Sequence, residues 1–255
     1  MAARYHHVTM RLEDDLVIGK SIRDARRIAR SALERDPDFG LLAFRAADNH
    51  LHSLLACGAS DAAEYARRVE ISTQLALGLE SPYAPARVRP VEDQRHLWSA
   101  FWYILDQDKR HGLVGDPFSE ASNLPDLLDF RGLGSFTRDH VRVHLPRVSE
   151  AQVLERRPEF KVEQAPLHAG DASRLADAAA AALALPHLRG NQPESVVARA
   201  AAVTVGRTFL RPTDVCRALG LASTSEARLA ARPEAPDLER WIEAQLRLRR
   251  PIARR

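Results

Sequence analysis

With 255 residues, 45% of them hydrophobic and 28% charged, the chain is long enough for one large domain or two ordinary ones and carries no signature of disorder. No apolar run approaches the roughly 20 residues of a membrane helix and Met1–Tyr5 lacks the apolar core of a signal peptide, so a cytoplasmic protein with no membrane partner is expected. The net charge of +3 is unevenly spread: residues 1–150 hold 20 basic and 22 acidic side chains, and residues 151–255 hold 17 and 12, making the C-terminal part the better partner for phosphate.

In chain order, residues 5–11 are short and β-branched at Val8 and Thr9 and predict a strand. Apolar Ile22, Ala25, Ile28, Ala29, Ala32 and Leu33 at helical spacing predict a helix over 21–35, stopped by Pro37 and Gly40. Residues 41–45 and 50–57 read as two strands joined tightly through Asp48-Asn49, hence a hairpin. Ser60 or Asp61 caps a helix to about residue 79, residues 87–91 form a fourth strand, and Asp93 caps a helix to about residue 110. The order βαββαβα is that of the split βαβ, ferredoxin-like plan, and the class is α+β. Residues 117–136 read as irregular and 149–170 as a polar connection, which places a domain boundary between 1–148 and 149–255. Helices are expected over 172–185, 193–209, 212–219, 223–232 and 236–249, with no strand, so the second domain is all-α. Cys57 and Cys216 match no zinc spacing and read as buried reduced thiols.

Two pairs carry candidate chemistry. On a strand, residues i and i+2 share a face, so His50 and His52 can grip one metal ion while Leu51 points into the buried layer behind them. On the helix begun at Asp93, Tyr103 and Gln107 lie four apart, one turn above each other, so a phenol and an amide oxygen can approach a common point. Taken singly, each pair is weak: a His-x-His pair arises easily among ten histidines, and Tyr103 sits among Trp98, Phe101 and Trp102.

Together and in order, the motifs resemble those of the single-tyrosine HUH transposases of the insertion-sequence and REP-associated kind. Tyr5-His6-His7-Val8-Thr9-Met10-Arg11 is similar to their opening YHVTxR strand, and Asn49-His50-Leu51-His52 to their NHxH strand. Trp102-Tyr103-Ile104-Leu105-Asp106-Gln107, followed by His111-Gly112-Leu113-Val114, resembles their nucleophile helix and its exit, and Pro117 begins a proline-containing tail. The likeness spans residues 5–135, about half the chain. Asp48 stands where many members have proline, and the Asn-Pro-Val that often follows the tyrosine is replaced by Gln107-Asp108-Lys109.

The resemblance implies a metal-dependent endonuclease and strand-transferase acting on single-stranded or hairpin DNA. Tyr103 would be the nucleophile, forming a 5′-phosphotyrosine, and His50, His52 and Gln107 would hold Mg2+ or Mn2+, with zinc also open. Arg67, Arg68, Arg87, Arg89, Arg95, Lys109 and Arg110 cluster in sequence around these elements; a groove that tracks the DNA backbone is the functional reading, while for any single one of them a solvated charged face is the better reading. A homodimer with shared sites is compatible with the family. A domesticated DNA-binding protein that keeps the fold without cleaving is the alternative. Further along, residues 212–228 read as a short helix, a glycine turn and a second helix opened by Ser223. A helix-turn-helix placing Ser223, Thr224 and Arg228 on duplex DNA and an ordinary helical corner fit that spacing equally.

Overall fold

The computed structural model describes residues 4–14, 16–107, 118–157 and 165–248. The chain is α+β and divides into two compact units, residues 1–128 with 133–153, and residues 129–132 with 154–255.

In the first unit, strands β1 (Tyr5–Leu12), β2 (Leu41–Ala47), β3 (His50–Leu55) and β4 (Tyr83–Val91) form one antiparallel sheet in the order β2-β3-β1-β4. Burial alternates along β1, with His6, Val8, Met10 and Leu12 buried and Tyr5, His7, Thr9 and Arg11 more open. The register places Thr9 opposite His52 and Arg11 opposite His50 on β3, and Thr9 opposite Arg87 and His7 opposite Arg89 on β4. Directly paired residues share a face, so His7, Thr9, His50, His52, Arg87 and Arg89 line one side of the sheet. Met10 and Leu51, also paired, close the buried side.

Helices flank both faces. Helix α1 (Ile22–Leu33) is opened by Ser21, whose hydroxyl accepts from the Asp24 amide, and buries Ala25, Ile28, Ala29, Ala32 and Leu33. After the single turn α2 (Asp36–Phe39), helix α3 (Ala59–Leu77) lies behind the sheet. Its Tyr65 hydroxyl meets the hydroxyl of Ser53, the residue after His52 that points to the opposite face. Helix α4 (Gln94–Leu105) is capped by Asp93, whose carboxylate accepts from the His96 amide at 2.7 Å, and presses Leu97, Phe101 and Leu105 inward over β2 and β3.

Strand β2 is buried along its whole length because a later segment seals its outer edge. The Ala46 amide donates to the Ala121 carbonyl, while the buried Asn123 side chain accepts from the Phe44 amide at 2.9 Å and donates to the Leu42 carbonyl at 3.1 Å. The same segment sends Glu120 to Arg26 of α1, an ion pair of 2.6 Å with both side chains 2% exposed. Helices α5 (Leu124–Leu127) and α6 (Ser135–His144) follow, and α7 (Glu150–Arg156) carries the chain across the division between units.

Several elements differ from the sequence expectation: α3 is capped by Gly58 and not by Ser60 or Asp61, and Leu124–Leu127 and Glu150–Arg156 are helical where an irregular stretch and a polar connection were expected. β4 begins at Tyr83, not at residue 87, because residues 83 and 84 pair with Leu12 and Arg11 across a register shift that absorbs Pro85. α4 ends at Leu105, and 108–110, expected to extend it, lie outside the described residues. Residues 135–144, for which no element was expected, form a helix whose buried side holds only Thr137 and Val141.

The described part of the second unit is helical: a 3-10 turn (Ala169–Arg174), then α8 (Leu175–Ala181), α9 (Pro193–Arg207), α10 (Pro212–Leu219), α11 (Ser223–Ala230) and α12 (Pro236–Leu248). Its core joins Leu175, Ala178, Ala182, Ala201, Ala202 and Val205 to Leu238, Ile242 and Leu246. Small side chains let α8 and α9 approach closely; a Cβ on Gly206 would stand 2.9 Å from Leu175. Gly220, at φ +63°, ends α10 in the left-handed conformation that glycine adopts without strain. Buried Glu226 of α11 binds Arg207 of α9 through both carboxylate oxygens, at 2.7 and 3.0 Å.

Candidate functional site

The paired registers of β1, β3 and β4 and the overlying α4 enclose a cavity of about 550 Å³ lined by His7, Thr9, His52, Arg87, Arg89, His96, Ser99, Ala100 and Tyr103. Tyr103 is 37% exposed, whereas its neighbours Phe101, Trp102 and Ile104 are buried, so this phenol faces the cavity and not the core. Its ring centroid lies 5.6 Å from that of His52 and 6.0 Å from that of His7. The rings of His50 and His52 are 4.6 Å apart and nearly perpendicular, as two same-face residues on one strand allow.

Hydrogen bonds orient these imidazoles. Nδ1 of His50 faces Oδ1 of Asn49 at 3.0 Å. Nδ1 of His52 lies 3.0 Å from Nε2 of His7 and 3.2 Å from Oγ1 of Thr9. Burial, followed by the charges of Arg89 and His96, holds the His7 imidazole down at about 4. A neutral His7 can accept at Nε2, and His52 donating from Nδ1 then keeps its lone pair on Nε2, the tautomer a metal ligand needs.

Gln107 lies just beyond the Asp106 cap of α4. It is fully buried, its Nε2 donates to the Tyr103 carbonyl at 3.0 Å, and its Oε1 has no hydrogen-bond partner among the described residues. Imidazole nitrogens and an amide oxygen are the donor types that suit a divalent ion with mixed nitrogen and oxygen ligands. Neither His50 nor Gln107 lines the cavity that holds Tyr103. Among the described residues no group of three or more His, Cys, Asp or Glu side chains is arranged to hold a metal.

The expected DNA-contacting residues separate into groups. Arg87 and Arg89 line the cavity. Arg95 lines a second cavity beside it. Arg67 and Arg68 belong to α3, behind the sheet, and both are held by Glu64 at 2.8 and 2.7 Å. Lys109 and Arg110 lie outside the described residues, as do 111–114 and Pro117. In the second unit Ser223, Thr224 and Arg228 are exposed on α11.

His96 and Ser99 enter the site without having been singled out in the sequence, and His7 and Thr9, which belong to the opening strand's motif but were not among the expected metal ligands, enter it with them. Strand parity marks the latter two, since odd positions of β1 face the histidine pair once Thr9 is set against His52. Helical spacing marks the others: 96, 99 and 103 recur at three and four residues along α4. His6, adjacent to His7, turns the other way and places Nδ1 2.9 Å from the Cys57 carbonyl. No protein-family model matches the chain, and no curated protein and no solved structure matches it.

Proposed function

We propose that the first unit is a metal-dependent nicking and joining enzyme for single-stranded DNA, with Tyr103 as nucleophile. The observation that carries this reading is the meeting of one partly exposed phenol with oriented imidazoles in a cavity flanked by Arg87 and Arg89. The strand order β2-β3-β1-β4 supports a ferredoxin-like plan with the histidine pair on a central strand and the tyrosine on the helix above it.

In this reading the Tyr103 oxygen attacks phosphorus, the O–P bond forms as the bond to the 3′ oxygen breaks, the phenolic proton leaves to solvent, and the 3′ oxygen takes up a proton. The product is a 5′-phosphotyrosine and a 3′-OH. Because one phosphoester replaces another, a 3′-OH can reverse the step and join strands without a nucleotide cofactor. Arg87 and Arg89 hold the phosphate backbone, and His7 with Thr9 fixes His52. Mg2+ or Mn2+, held by His50, His52 and Gln107, would supply charge neutralisation at the scissile phosphate. A neutral phenol is a weak nucleophile, so its attack depends on such help.

The exposed face of α11, with Ser223, Thr224 and Arg228 after a glycine-ended α10, supports a helix-turn-helix that docks duplex DNA. A second reading, DNA binding without cleavage, is favoured by the lack of a three-residue His, Cys, Asp or Glu group among the described residues. One experiment separates the two: the chain is incubated with single-stranded hairpin DNA and Mn2+, and a denaturing gel is read for a covalent adduct. Cleavage predicts an adduct that chelator and Tyr103→Phe both abolish; its absence with retained binding favours the second reading.

A further inference from the structure

Beside the tyrosine cavity lies another of about 700 Å³, walled by Tyr5, Gln94, Trp98, His144 and Leu145. The two are neighbours along both elements that build them. On β1, Tyr5 lines this cavity and His7 the catalytic one, two residues on and on the same face, hence about 7 Å apart. On α4, Arg95 and Trp98 alternate with His96 and Ser99. The third wall, the end of α6 and the residues after it, lies largely beyond the part of the chain that carries the histidine and tyrosine motifs.

The wall is fixed in place. The Gln94 side chain donates to the His144 carbonyl at 2.9 Å, tying the start of α4 to the end of α6. The Tyr5 hydroxyl meets His144 Nδ1 at 3.2 Å, with the two rings edge to face. Burial, then the charges of Arg4 and His140, lowers the His144 pKa, which favours the neutral ring in that contact. Leu145 forms a buried apolar floor, and Trp98 presents a half-buried indole packed edge-on against Trp102. Arg4, Arg95 and Arg147 stand exposed around the mouth, none in an ion pair with a described residue, and no acidic side chain joins the lining.

We infer that this cavity seats one unstacked base of the single strand next to the scissile phosphate, with Trp98 as the stacking surface and Arg4, Arg95 and Arg147 on the flanking phosphates. This deepens the nuclease reading and rests on it. An aromatic wall with an apolar floor matches the flat face of a base, and three uncompensated guanidinium groups match the anionic backbone on either side of it. Duplex DNA cannot offer that face, because its bases are stacked on one another.

The test uses the full chain carrying Tyr103→Phe as parent, so that binding is read without cleavage, and a labelled oligonucleotide in which an abasic site is walked along the sequence. Trp98→Ala is expected to weaken single-strand binding about tenfold or more. Trp98→Phe is expected to restore most of it, and a melting temperature for each variant shows that it folds. Arg147→Gln is expected to reduce the slope of log affinity against log salt by about 0.7. One abasic position is expected to cost affinity in the parent and nothing in Trp98→Ala. The inference is overturned if Trp98→Ala binds as tightly as the parent, if every abasic cost persists in that variant, or if duplex binds as well and with the same Trp98 dependence. Adduct formation by the chain with Tyr103 intact is scored separately. Adduct without Trp98-dependent binding sinks this inference alone, and Trp98-dependent binding without adduct sinks the nuclease.

Discussion

Nε2 of His7 stands 3.0 Å from Nδ1 of His52, joining two imidazoles from adjacent strands. If His52 binds a metal through its other nitrogen, His7 sets the tautomer and the ring angle of that ligand. Replacing such a supporting group typically lowers metal affinity about 10- to 100-fold. His7→Ala is therefore expected to weaken Mn2+ binding by that factor in a calorimetric titration while Tyr103 still forms some adduct at saturating metal. Unchanged affinity would show that His7 does not orient the site.

The Arg26–Glu120 pair is buried from both sides, so deleting one partner removes a charge-assisted contact of the other in the interior. Arg26→Ala is expected to cost about 3–5 kcal/mol in denaturant unfolding of the first unit. Arg26→Met with Glu120→Leu removes both charges together and is expected to recover most of that loss. A single substitution costing under about 1 kcal/mol would mean that the surviving carboxylate finds water.

Asn123 serves two backbone groups of β2 with one side chain. Asn123→Ala leaves the Phe44 amide and the Leu42 carbonyl without that partner inside the protein, an expected loss of about 2–4 kcal/mol. Hydrogen exchange at the Phe44 amide reads the same event locally: protection there should fall before that of β1 does.

Glu70, on α3, is half-buried, and burial pushes its carboxyl up to about 7. A carboxyl raised in the folded state holds a proton that the unfolded chain has released, so between about 4.5 and 7 folding stability falls as pH rises. The group is partly solvated, which screens the effect to roughly 1–2 kcal/mol. Glu70→Gln is expected to be more stable than the parent at pH 8 and equal to it near pH 4, as read by urea midpoints. A constant difference across that range would refute the assignment.

Much of the first unit was legible because its signals are local. β-branched and apolar runs around Asp48-Asn49 mark the hairpin, and Asp93 caps the helix it was expected to cap, whereas α3 is capped by Gly58 in place of Ser60 or Asp61. The early start of β4 was hidden by Pro85, a residue that argues against a strand unless, as here, a register shift takes it out of the ladder. Helix 135–144 was hidden because its buried side is only Thr137 and Val141, too thin a stripe for periodicity to register. At the site, His50, His52 and Tyr103 could be made candidates by spacing along one element and singled out only by the ordered motifs around them. His7 and Arg147 could not, because their place depends on which strands pair and where a late helix returns.

The sheet's two margins are guarded by different means. Along β2 the rim is occupied by Ala121 and Asn123, while β4 carries Pro85 and Pro90, which lack the amide an incoming strand would need, and repels it further with Arg87 and Arg89. Another polypeptide therefore finds little main chain to zip onto at either border. Strand addition is thereby disfavoured at these borders, and a partner would meet side chains there first.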